Sequence, residues 1–265
     1  DRGAITSLIG VMDDAVDQMQ QTAGAVELYD VTSFTPQMVG MADIIVERLV
    51  AGYRPAAHPE RAVGMTGYLR GQFPFLGIQS AARRQLSRQV LAGLPRPDAE
   101  DLRAVALACW RLPEREYQYF AVDLLVRHAR LLTPAFLEPA RQLVATRSWW
   151  DTVDALAANV VGTIAAGHPG AAQVMDAWAG SDHLWVARTA LLHQLRRGAT
   201  TDQDRLFGYC ADLAGHPDFF IRKAIGWALR QYARTDPGAV GAFVTAHPEL
   251  SQLSVREATR HLPSD

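Results

Sequence analysis

Gly215-His216-Pro217-Asp218-Phe219-Phe220 compresses a helix stop, a helix start and an aromatic pair into six residues. Gly readily takes the left-handed turn that closes a helix. Pro and Asp suit the first turn and the cap of the next one. The same grammar recurs along the chain. His-Pro precedes helical patterns at 168–169 and 247–248 as well as at 216–217. Tyr117, Trp149, Trp185 and Phe220 each open a helix, at spacings of 32, 36 and 35 residues. A period in the mid-thirties with two helices per unit predicts an α-solenoid, because one such unit cannot bury its apolar face alone and must stack on its neighbours.

Working outward, apolar residues keep helical spacing over 5–21, 36–53, 60–73, 80–93, 98–110, 114–131, 134–146 and 149–166. The same spacing continues over 170–179, 183–196, 202–214, 218–234, 237–245 and 253–261. Short breaks rich in Pro, Gly, Asp and Ser separate these stretches, and no stretch sustains the two-residue alternation of a half-buried strand. The expected fold is all-α, a solenoid of HEAT-like antiparallel helix pairs whose second helices line a basic concave surface. Residues 1–35 read as an acidic N-terminal extension, a helix plus a connection, and 36–265 as the repeat domain.

The 265 residues carry a net charge of −2, unevenly shared. Residues 1–47 hold eight acids against Arg2 alone, whereas 48–265 hold 25 bases against 20 acids. A basic body suits a polyanionic partner. No run of 18 apolar residues offers a membrane span, and Asp1-Arg2-Gly3 does not open like a signal peptide. Cys109 and Cys210 stand far apart and no His pair has ligand spacing, so neither a disulfide framework nor a metal site is expected. That cysteine usage fits a reducing cytoplasm. Lys223 is the one lysine, which disfavours Schiff-base chemistry. G-x-S-x-G, H-E-x-x-H and P-loop words are missing, and Ser181-Asp182-His183 is contiguous at a helix start, where capping explains it. Glu114-Arg115-Glu116 reads as a first-turn acid cluster favourable to the helix dipole.

The candidate site begins in Ser148-Trp149-Trp150-Asp151-Thr152-Val153-Asp154. Trp150 and Asp154, four residues apart, share one helix face. An aromatic plate beside a carboxylate can receive a flat cation, or can be a buried Trp beside a capping acid. The repeat register separates these readings. Trp150, Arg188 and Trp227 fall 38 and 39 residues apart, at related places in successive units. Trp149 is expected in the core.

Five words in order resemble the AlkD family of bacterial DNA alkylation-repair glycosylases. They are Phe75-Leu76-Gly77-Ile78-Gln79, Leu112-Pro113-Glu114-Arg115-Glu116-Tyr117-Gln118, the Ser148–Asp154 word, the word from Phe219 to Arg230, and Leu253-Ser254-Val255-Arg256-Glu257-Ala258. The resemblance implies a glycosylase that releases cationic N3- or N7-alkylated purines from double-stranded DNA, leaves the lesion stacked, and needs no cofactor. It implies a cleft of Trp150, Asp154, Arg188 and Trp227, with Tyr68 near the opposite strand. Trp150 and Trp227 would face the cationic base, Asp154 the sugar, and Arg188 a phosphate; a salt bridge to Asp154 or Asp182 is the alternative for Arg188. Ser80, Arg83 and Arg84 at one helix start form a candidate phosphate seat. Arg196, Arg222, Lys223 and Arg230 are further candidates for the DNA backbone. The expected working unit is a monomer, cytoplasmic and nucleoid-associated. An open cleft implies tolerance of bulky adducts, as self-protection in an antibiotic producer would need. The rival class is a catalytically silent HEAT-repeat scaffold for DNA or protein, and the intact Trp150, Asp154 and Trp227 argue against it.

Overall fold

The computed structural model describes residues 40–262. The extension over 1–35 and the expected helix over 5–21 lie outside the described residues. Within them every regular element is a helix, with no strand. In chain order come α1 (Met41–Tyr53), α2 (Pro59–Tyr68), α3 (Ser80–Leu91), α4 (Ala99–Arg111), α5 (Arg115–Arg127) and α6 (Leu137–Ala145). Next, α7 (Trp150–Ala155) runs through a π-helical turn (Leu156–Val161) into α8 (Gly162–Gly167). The chain continues with α9 (Ala171–Ala179), α10 (Leu184–Leu192), α11 (Gln203–Asp212), α12 (Phe219–Tyr232), α13 (Pro237–Ala246) and α14 (Gln252–Ala258).

The stop and start signals act as their chemistry dictates. Asp98, Asp202, Asp218, Asp236 and Ser251 each cap a helix by accepting a hydrogen bond from a first-turn N–H. Such a cap contributes about 1 kcal/mol. Ser181 instead accepts from His183 N–H one residue before α10 begins, and Asp182 is exposed, so the capping expected there is only partial.

Stacking of helix pairs appears directly in the contacts. The openers Trp149, Trp185 and Phe220 form one aromatic cluster, with ring centroids 5.8, 5.1 and 4.9 Å apart. Tyr117 departs from that series and stacks on Tyr53 at 5.8 Å. Many long-range polar links span about one repeat, as from Arg115 to Asp151, Arg188 to Asp154, Tyr209 to Asp176 and Lys223 to Glu257. Each unit is thus tied to the next, as a solenoid of HEAT-like pairs requires. α12 crosses α14 so closely at Gly226 that a Cβ there would lie 2.5 Å from Glu257 Cβ.

The helix expected over 60–73 ends early, at Tyr68. Arg70 and Gly71 take positive φ (55° and 72°), and residues 69–79 form a loop. Glu116 holds that loop. Its carboxylate is fully buried and accepts from the backbone N–H groups of Leu76, Gly77 and Ile78 at 2.9, 2.8 and 3.1 Å. The reading of Glu114-Arg115-Glu116 as a dipole-facing acid cluster is therefore corrected, since burial converts Glu116 into an internal anchor. Gly77 is required there, because φ is 86° and a Cβ would lie 2.1 Å from the His58 carbonyl oxygen.

Candidate functional site

Position of the site is set by a buried arginine. Arg115 is 0% exposed, and its Nε and Nη2 donate to Asp151 at 3.0 and 2.7 Å. Nη2 also donates to Thr152 Oγ1 at 2.9 Å, and Nη1 donates to the Arg147 carbonyl at 2.8 Å. That carbonyl belongs to a residue with φ of 49°, which turns the chain from α6 into the Trp149–Trp150 step. Tyr119 Oη adds a 2.7 Å bond to Asp151, and Phe73 lies under the guanidinium at 3.8 Å from its ring centre. Burial, with the adjacent Asp151 carboxylate, pushes the Tyr119 phenol far above its ordinary pKa, so it stays a donor. α7 is thereby pinned at its first turn to the preceding repeat.

One turn on, Asp154 faces Arg188. Nε and Nη2 of Arg188 each donate to a different Asp154 oxygen at 2.7 Å, a bidentate fork. Nη1 donates to the Phe220 carbonyl, and the Phe220 ring lies beside the guanidinium. The Arg188 side chain is 3% exposed and that of Asp154 14%. Burial raises the Asp154 carboxyl pKa above 3.8, with the Arg188 fork pulling it back down. Arg188 therefore has no free face for a phosphate. The expected phosphate role is corrected in favour of the salt bridge to Asp154.

Trp150 is half-buried, and Tyr68, 73% exposed, meets it edge-on with ring centroids 6.0 Å apart. The Tyr68–Trp150 contact and the Asp154–Arg188 fork are thus linked through α7, on which Trp150 and Asp154 lie four residues apart. Trp227 is half-buried two turns beyond Phe220 on α12, hence on the face that carries Arg188's carbonyl partner. Trp149 packs into the Trp185–Phe220 cluster.

The basic candidates divide. Ser80 and Arg84 are exposed at the start of α3, where Gln79 caps without a side-chain bond, leaving first-turn N–H groups open. Arg83 is buried, pairs with Asp123 at 2.8 Å and lies 5.3 Å from the Tyr119 ring centre, so the DNA-contact expectation for it is corrected. Lys223 and Arg230 share the Glu257 carboxylate, which compensates one of their two charges. Arg222 is half-buried, and Arg196 is exposed with Nη1 on Asn159 Oδ1 at 2.7 Å. Sequence reasoning missed Asp151, Tyr119 and the π turn. The turn begins two residues past Asp154 and ends at Gly162, which abuts the His193 carbonyl so closely that a Cβ would lie 2.3 Å from it. Among the described residues no cluster of His, Cys, Asp or Glu could hold a metal ion, and no helix is long and apolar enough to cross a membrane.

Over residues 49–262 the sequence matches the family described as DNA alkylation repair enzyme. The chain belongs to that family. A structure titled "Predicted DNA alkylation repair enzyme" from Enterococcus faecalis superposes with a TM-score of 0.73 at 33% identity, covering 79% of this chain and 98% of that one. The fold is shared with AlkD2 from Streptococcus mutans, at TM-score 0.55, 18% identity and coverage of 71% and 93%. The "Putative pit accessory protein" of Rhizobium meliloti is 47% identical over 47 residues, which spans 18% of this chain and 22% of that protein.

Proposed function

We propose that the protein is a monofunctional DNA glycosylase that hydrolyses the N-glycosidic bond of cationic N3- or N7-alkylated purines in duplex DNA. One observation carries this reading. The half-buried Asp154 carboxylate is fixed by the Arg188 fork one helical turn from Trp150, whose ring meets the exposed Tyr68. An alkylated purine already bears positive charge, so its departure needs no acid. The bond from C1′ to the base nitrogen breaks, its electron pair neutralises the base, and positive charge moves to the sugar. Trp150 and Trp227 stabilise the cationic base by about 0.5–2 kcal/mol each. Asp154 stabilises the oxocarbenium-like sugar and orients the water that adds to C1′, and the proton this water loses passes to solvent. An unmodified purine carries no such charge, so selectivity follows from electrostatics and not from a shaped pocket.

Arg188 serves here as a positioning residue that keeps Asp154 ionised and aimed. The open start of α3, with Ser80 and Arg84, supports a seat for a backbone phosphate. Tyr68 stands exposed at the rim, which supports work on a stacked base from the backbone side and tolerance of large adducts. Incubating the protein with duplex DNA carrying 7-methylguanine should yield free 7-methylguanine and abasic sites. Strand nicking with a borohydride-trapped covalent adduct would refute the monofunctional assignment.

A further inference from the structure

Two consecutive residues at the start of α5 hold opposite sides of the Tyr68–Trp150 contact. Arg115 and Glu116 are both 0% exposed. Arg115 reaches forward to Asp151 and to the Arg147 carbonyl, which fixes the helix that begins at Trp150. Glu116 reaches back to the N–H groups of Leu76, Gly77 and Ile78. No cation pairs with Glu116 among the described residues, so those N–H donors compensate its charge. The stretch that Glu116 grips carries α2. His58 N–H donates to the Leu76 carbonyl at 2.7 Å, and a Cβ at Gly77 would clash with the His58 carbonyl oxygen and with Ala62 N, at the cap and first turn of α2. α2 itself buries none of its residues, and a Cβ at Gly64 or Gly67 would meet nothing within 4 Å.

The place of α2 therefore rests on residues 76–78 before its start and on Leu69 and Phe73, both buried, after its end. Tyr68 is the last residue of α2, and its ring is 73% exposed apart from the edge contact with Trp150. A path of bonds thus runs from the Glu116 carboxylate through residues 76–78 and α2 to the Tyr68 ring. We propose that Glu116 is a positioning residue for damage recognition, which sets where Tyr68 stands against Trp150. Glu116 bonds to none of Trp150, Asp154 or Arg188, so it acts on how firmly the duplex is held and not on the breaking of the glycosidic bond. The proposal rests on the glycosylase reading for what Tyr68 meets.

Glu116→Gln tests it, because the amide offers one acceptor oxygen and turns an NH2 group toward an N–H donor. Single-turnover release of 7-methylguanine is followed against protein concentration for the full-length wild type, Glu116→Gln, Tyr68→Ala and the double variant, with duplex binding measured by fluorescence anisotropy below every unfolding transition. Glu116→Gln should raise the half-saturating concentration roughly tenfold, the loss expected when one aromatic contact to nucleic acid goes. The maximal rate should change far less, and the acid limb should stay in place. Adding Glu116→Gln to Tyr68→Ala should weaken binding no further, because both act through one ring. Additive losses in the double variant would overturn the proposal, as would a fall in maximal rate with half-saturation unchanged; either leaves Glu116 a structural anchor alone. If Glu116→Gln does not fold, Gly71→Val serves, since it puts a β-branched residue at φ 72° where a Cβ meets nothing and strains the stretch between Tyr68 and residues 76–78. It must show the same split and the same lack of additivity with Tyr68→Ala, and additivity there overturns the proposal. A wild type that binds the duplex and frees no base would sink the glycosylase reading, while non-additive binding losses would still establish the link from Glu116 to Tyr68.

Discussion

Replacing Arg188 by Gln separates two roles for the buried charge that faces Asp154. The wild-type fork makes two 2.7 Å bonds to Asp154 and one bond to the Phe220 carbonyl, with 3% of the side chain exposed. Breaking one partner of a buried pair costs about 3–5 kcal/mol. Asp154 retains 14% exposure, so the lower end, about 3 kcal/mol, is expected. For a unit of this size, that lowers Tm by roughly 6–12 °C. The activity effect has a definite sign. Asp154 acts as a carboxylate, so base release fails as pH falls through its pKa. Burial already raises that pKa above 3.8, and Arg188 is what restrains the rise. Without the guanidinium the acid limb of single-turnover base release must move toward neutrality, about one pH unit for each 1.4 kcal/mol of lost differential stabilisation. The salt dependence of duplex binding should stay unchanged, because Arg188 touches no phosphate. A slope reduced by about 0.9, with the acid limb in place, would show that Arg188 is a phosphate contact and that the positioning argument is wrong.

Two packing predictions accompany it. Arg115→Ala strands Asp151 beside Tyr119 in the interior and should cost about 3–5 kcal/mol in denaturant unfolding, with Asp151→Asn in the same chain recovering part of the loss; additive single-variant losses would contradict the network. Gly226→Ala forces α12 away from α14, where the new methyl would lie 2.5 Å from Glu257 Cβ, and should cost about 1–3 kcal/mol. An unchanged midpoint would show that this crossing is not close-packed in solution.

The repeat register was legible because each unit repeats its chemistry, and the Trp149–Trp185–Phe220 cluster is that register made physical. Trp150 and Asp154 were legible because helical spacing alone puts them on one face. What the sequence hid were choices made by burial. Arg83 and Arg84 are neighbours, yet helix phase sends the first inward to Asp123 and leaves the second exposed. Asp98 and Glu116 both stand at helix starts; Asp98 caps its own helix, while Glu116 is buried against a loop some forty residues earlier. Met65, Leu69 and Phe73 keep helical spacing, but Arg70 and Gly71 break the helix between them with positive φ. Arg188 was placed near Asp154 by register, whereas its pairing depended on distances that only the fold supplies.

The central claim rests on Asp154, and single-turnover release of 7-methylguanine from duplex DNA by wild type and Asp154→Asn tests it most directly. The exchange keeps the volume but leaves Arg188 uncompensated, so Tm should fall by roughly as much as in Arg188→Gln, the helical circular dichroism should persist below that transition, and the rate should fall by about 10²–10³. Release of the base by Asp154→Asn at the wild-type rate would contradict the account, as would a wild type that binds the damaged duplex and frees no base.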